Sequence, residues 1–88
     1  MATEPPIIFT YHAREKMADR GASEEEVTQT IREGEREPAA FGRFLYRMNF
    51  PFAALWQGKP YGIKQIVAIV MEEPQRLVVI TVYTMYFG

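Results

Sequence analysis

The 88-residue chain has no cysteine. That excludes disulfides and thiolate metal sites. It has a single histidine, so no histidine pair with metal spacing exists and no metal is expected. No glycine-rich phosphate loop follows a strand, and no nucleophile elbow is present. Neither a cofactor nor its binding motif is therefore expected. No stretch approaches the ~18 apolar residues of a membrane span. The opening "MATEPPIIFT" lacks a basic region followed by an apolar core, so no signal peptide is expected. The expected location is cytoplasmic, away from membranes. Internal repeats and low-complexity tracts are also missing.

What is present is apolar material for one core. Hydrophobic residues make up 48% of the chain and aromatics 14%, consistent with one domain. The net charge is −1 but is unevenly spread. Residues 1–37 carry five Lys/Arg and nine Asp/Glu, whereas residues 38–88 carry five Lys/Arg against Glu72 and Glu73. The basic excess sits in the second half. It is either a phosphate-contacting sheet face or a solvated sheet with scattered charges.

Residues 1–6 read as a short disordered leader ending in Pro5-Pro6, and residues 7–88 as the single domain. "IIFT" is a short extended piece whose Thr10 caps a helix from Tyr11 to Arg20. Gly21 ends it in the left-handed conformation. Ser23 and Glu26 have capping-box spacing for a second helix. Glu24, Glu25 and Glu26 suit its positive N-terminus. Val27, Thr30 and Ile31 give it an apolar stripe, and Gly34 is its expected stop. A polar connection follows from Glu35 to Gly42. "RFLYRMNF" reads as a strand, continued irregularly, with a bulge, edge or turn demanded at Pro51. "GKPYG" and "EPQR" read as turns around a strand at residues 63–72. Residues 77–87 form the last strand, apolar on both faces: Val78, Ile80 and Val82 on one, Leu77, Val79, Tyr83 and Met85 on the other. Such a strand is expected to be central or covered on both sides. The order (β)ααβββ predicts an α+β fold, with two N-terminal helices on one face of a three- to four-stranded antiparallel sheet.

His12, Lys16 and Arg20 fall four residues apart and share one helix face, beside a buried stripe of Ala13 and Met17. They form either an active-site rim or a solvated row in which Lys16 pairs with Glu15 or Asp19. Thr81 and Tyr83 share one face of the last strand, Thr84 and Tyr86 the other. Their hydroxyls either line a site or reflect strand propensity.

The stretch "HAREKMADRGASEEEV" resembles the opening of a family of small bacterial domains of unknown function. The matching residues are His12, Ala13, Lys16, Met17, Arg20, Gly21, Ala22, Ser23 and Val27. The closing Val79-Ile80-Thr81-Val82-Tyr83 resembles that family's "VVTVY" strand. Such domains look like distant relatives of RelE/ParE-type toxins, with a barnase–EndoU–colicin–RelE fold. The resemblance implies a metal-independent endoribonuclease of toxin–antitoxin type, or a degenerate relative. His12 would act as acid or base, Lys16 and Arg20 would offset phosphoryl charge, and Thr81 or Tyr83 would orient the phosphate. Arg43, Arg47 and Lys64 would hold the RNA backbone, with Tyr46, Trp56 or Tyr61 stacking on bases. The chain departs from the toxin pattern in being slightly acidic. The alternative is a non-catalytic interaction module of the same fold that dimerises or binds an antitoxin-like protein. The aromatic "FLYRMNFPFAALW" suits such an interface.

Overall fold

The computed structural model describes residues 4–88. In chain order the elements are β1 (Ile7–Phe9), α1 (Tyr11–Arg20), α2 (Glu24–Glu33), β2 (Glu35–Pro38), a 3-10 turn (Ala40–Gly42), β3 (Phe44–Trp56), β4 (Lys59–Glu73) and β5 (Arg76–Phe87). The strands form one sheet in the order β1-β5-β4-β3-β2. β1 runs parallel to β5, and the remaining pairs are antiparallel. The fold is α+β with two helices, as the sequence predicts. The sheet is five-stranded and mixed, however, not three- to four-stranded and antiparallel.

The added strands are the two that local pattern hides. β1 has only three residues. β2 is "EREP", exposed throughout, and it lies where a polar connection was expected. It forms because β3 supplies its partners: Glu35 pairs in register with Arg47 and Arg36 with Tyr46. Its charges also discourage a further strand from adding at that edge.

Both helices follow their caps. Thr10 Oγ1 accepts from the Ala13 N–H and donates to the Val79 carbonyl, which joins the start of α1 to β5. Gly21 closes α1 at φ +74°. Ser23 and Glu26 make the capping box in both directions. Gly34 ends α2 in an extended conformation, not a left-handed one. Glycine is needed there because a Cβ would lie 2.4 Å from the Arg47 carbonyl oxygen.

Of the expected leader, residues 1–3 lie outside the described residues. Residues 4–6 are held in place. Glu4 pairs with Arg32, Arg32 donates to the Pro5 carbonyl, and the Leu77 N–H donates to that of Pro6. They lead directly into β1.

Both helices cover the same sheet face. Ala13 and Met17 of α1 and Val27 and Ile31 of α2 pack with Tyr46, Ile66, Ala68, Val70, Val79 and Val82. Each large apolar side chain buried there contributes about 1.5–3 kcal/mol. Simple alternation puts Val79 and Val82 on opposite faces, yet both are fully buried in this core. The reason is a bulge. Val79 pairs with Val70 and Thr81 with Ile69, so Ile80 has no partner and the alternation resets. A second irregularity follows Pro51, where the sequence demanded one. The β3–β4 turn is Gln57-Gly58, both at positive φ, and "KPYG" belongs to β4.

Candidate functional site

The C-terminus of α1 is the most heavily anchored point on the helical side. The last carbonyls of a helix lack intrahelical donors. Here Thr84 Oγ1 and the Tyr86 hydroxyl both donate to the Arg20 carbonyl, at 2.8 and 2.9 Å. Lys64 Nζ donates to the Gly21 carbonyl at 2.9 Å and pairs with the Glu26 carboxylate at 2.7 Å. The Trp56 ring stacks on Tyr86 with centroids 4.7 Å apart. A Cβ on Gly21 would fall 2.7 Å from atoms of both Trp56 and Tyr86. Gly21 is thus required by its φ and again by this close approach. Burial pushes the Glu26 carboxyl up, but hydrogen bonds from Lys64 and Ser23 and the Lys64 charge outweigh it and leave the carboxyl below its ordinary value. Burial pushes the Tyr86 hydroxyl up.

This junction absorbs several residues expected to hold RNA. Lys64 is only 7% exposed, and its ammonium is committed to Gly21 and Glu26. Trp56 is half-buried against Tyr86, and the Tyr61 ring lies 5.7 Å from Tyr86. Tyr46 is buried and donates to Glu72, which also receives two hydrogen bonds from Arg36. The Arg36 hydrogen bond holds the Glu72 carboxyl low, and burial pushes the Tyr46 hydroxyl up. Arg47 pairs with Glu37 at 2.6 Å and approaches Glu35. Arg43 is half-buried, with its Nε unpartnered.

The α1 row is only partly assembled into a site. His12 is exposed and Lys16 half-buried, and no carboxylate of the described residues pairs with Lys16. Arg20 leaves α1 at the open edge of β5. β1 pairs only with Leu77–Val79, so β5 has no strand neighbour there beyond Val79. Arg20 Nη1 donates to the Val82 carbonyl at 2.7 Å, and its guanidinium lies 4.7 Å from the Tyr83 ring centroid. The structure therefore brings Arg20 and Tyr83 together, with Thr81 on the same sheet face as Tyr83. Three surface depressions lie on α2 around Arg32, at the Glu73–Arg76 turn and at the β3–β4 tip around Leu55. None of the three is lined by His12, Lys16, Arg20, Thr81 or Tyr83. Among the described residues no cluster of His, Asp or Glu could hold a metal ion.

The opposite sheet face carries no helix. Register and alternation place cross-strand rows on it: Leu45, Ile69 and Thr81; Arg47, Val67 and Tyr83; Asn49, Gln65 and Met85; Pro51, Ile63 and Phe87. Val67 is 6% exposed yet stands outside the helix-side core, walled in by its row neighbours. Tyr83 and Met85 are each 46% exposed and Phe87 40%. Of the expectation that β5 is central or covered on both sides, the first alternative holds in part: β5 lies between β1 and β4, and helices cover one of its faces. Val67, Ile69, Met85 and Phe87 were not among the expected site residues. Their signal was the apolar alternation Ile63, Val67, Ile69, Met71 along β4.

Residues 9–84 match the family model described as Domain of unknown function (DUF4258). The chain belongs to the DUF4258 family. No curated protein and no solved structure matches. The family match spans the α1–α2 junction and nearly all of the bare face. In this DUF4258 domain the expected basic half is only partly neutralised by the acidic one: Lys64 pairs with Glu26 and Arg47 with Glu37, whereas Arg76 pairs with Glu73 of its own half. Six of the ten Lys/Arg side chains pair with carboxylates: Arg14, Arg32, Arg36, Arg47, Lys64 and Arg76. No helix among the described residues is long and apolar enough to cross a membrane.

Proposed function

We propose that this DUF4258 domain is a non-catalytic protein-interaction module that docks a protein on its bare sheet face. The observation that carries the reading is the half-exposed row of Tyr83, Met85 and Phe87 beside Val67 and Ile69, on a face no helix covers. Contiguous exposed apolar surface of this kind marks partner sites. Tyr, Phe, Met and Arg are the residues enriched in them. Ile69→Lys, at the centre of the face, is expected to abolish association of the purified domain while leaving its circular dichroism and melting intact. Gln29→Lys, on the exposed side of α2, is expected to leave association unchanged. Association that survives Ile69→Lys sinks the reading.

A second reading, an endoribonuclease of RelE/ParE type, is favoured by the contact between Arg20 and Tyr83 at the open edge of β5, with His12 and Lys16 on the same helix. In that reading the ribose 2′-OH attacks the adjacent phosphorus, His12 moves the proton, and Arg20 and Lys16 offset the phosphoryl charge. It requires Arg20 to exchange its Val82 carbonyl for phosphate. The expected outcome under the interaction reading is no cleavage of RNA by the purified domain. Cleavage lost in His12→Ala would establish the enzyme instead.

A further inference from the structure

We infer that the occupant of the bare face is a second copy of this chain, packed sheet against sheet about a two-fold axis. The inference rests on the docking reading above and names its partner.

Charge selects the partner. On this face Arg47 is matched by Glu37 at 2.6 Å and Arg76 by Glu73 at 2.5 Å. The amides of Asn49 and Gln65 bond to each other at 2.8 Å. The centre, at Leu45, Ile69 and Val67, carries no charge, and Arg20 reaches Tyr83 from the β5 edge. An RNA backbone draws its affinity from several unpaired cations that neutralise phosphates. Here Arg47 and Arg76 are matched, which leaves Arg20, at the β5 edge over Tyr83, as a single cation without a carboxylate partner among the described residues. An acidic or basic peptide would likewise find little opposite charge unmet. What fits is an uncharged, pleated, apolar surface whose polar groups are satisfied internally. The chain possesses one in its own copy. An isologous contact of this kind sets no like charges against each other at its centre.

Size and edges agree. The molecule measures 41 × 27 × 22 Å along its principal axes. A face bounded by the two longer dimensions offers on the order of 1,000 Å² per copy, above the ~800 Å² per partner of a standard interface. Two such sheets stack ~10 Å apart, with strands inclined by ~30° because each sheet is twisted. Edge-to-edge pairing at the opposite margin is disfavoured by Glu35, Arg36, Glu37 and Pro38 of β2. At the other margin β5 is open beyond Val79, but Arg20 Nη1 already occupies the Val82 carbonyl there, which leaves the face as the broader route to association.

The test is the solution mass by light scattering, up to about 200 µM, above the micromolar range of weak complexes. The wild type is expected at twice the 10.2 kDa chain mass. Ile69→Lys and Tyr83→Lys are each expected at the monomer mass, and Gln29→Lys at the dimer mass. Tyr83 is half-exposed, so that variant reports association even if Ile69→Lys does not fold. A monomeric wild type overturns the second-copy inference. The docking reading then survives only if a different protein binds and Ile69→Lys blocks it. A dimer indifferent to both face lysines overturns both. Binding of RNA by a monomeric wild type, weakened in Tyr83→Lys, replaces the inference with a nucleic-acid surface.

Discussion

Lys64 shows how far a single residue can move from its sequence reading. In the chain it is one more cation in a basic half. In the structure its ammonium holds the end of α1 to the start of α2 through the Gly21 carbonyl and Glu26. Lys64→Met keeps the apolar stem but leaves a buried carbonyl and a carboxylate short of their donor. It is expected to destabilise the domain by about 2–4 kcal/mol, measured by urea unfolding. A loss below half a kcal/mol would show that the contact is incidental. Gly21 was half legible for the same reason. Its left-handed φ follows from its place after α1. Its contact with Trp56 and Tyr86 does not, because those rings come from strands far along the chain. Spacing likewise put His12, Lys16 and Arg20 on one helix face, but it did not say what that face would meet.

Capping carried most of the legibility of the elements. Thr10, Gly21, Ser23 and Glu26 are local signals, and both helices run as they predict. Strand pairing is not local, so β1 and β2 were hidden. The β5 bulge was hidden too, because "VVITVY" reads as uninterrupted alternation. That one extra residue decides which side chains reach the helices. Deleting Ile80 would keep Val79 opposite Val70 and Thr81 opposite Ile69, so a regular ladder would still turn Val82, Thr84 and Tyr86 toward α1. The deletion is expected to leave a domain that unfolds cooperatively by circular dichroism, as is Ile80→Ala. Loss of cooperative unfolding in the deletion would mean that the bulge itself is required.

At the scale of the whole molecule, charges pair both within and between the two halves of the sequence, with Lys64–Glu26, Arg47–Glu37 and Arg36–Glu72 crossing between them. The segregation was legible, and the pairing was not. This pairing sets the pH range of stability. Glu26 and Glu72 lie below their ordinary value of 4.5. The unfolded chain therefore binds more protons in that region, and the stability they contribute is present above 4.5 and lost as pH falls through their folded values. Tyr46 and Tyr86 lie above their ordinary value of 10.0. Their contribution is present below 10 and lost as pH rises through the folded values. Melting temperature against pH is expected to show a plateau with falls on both sides, and Glu72→Gln should shallow the acid limb. An acid limb unchanged in that variant would locate the sensitivity elsewhere.

The parallel pairing of Ile7–Phe9 with Leu77–Val79 fixes an order of events during synthesis. β1, the bond from the Thr10 hydroxyl to Val79 and the seat of the Arg20 carbonyl all wait for β5 to be made. At ~5–20 residues per second the first helical segment waits several seconds for the surface it packs on. β3 and β4, joined by a two-residue turn, can assemble meanwhile with β2 beside them and α2 across them. The hairpin comes first and the N-terminus last, so a chain cut short within β5 releases both of its ends at once.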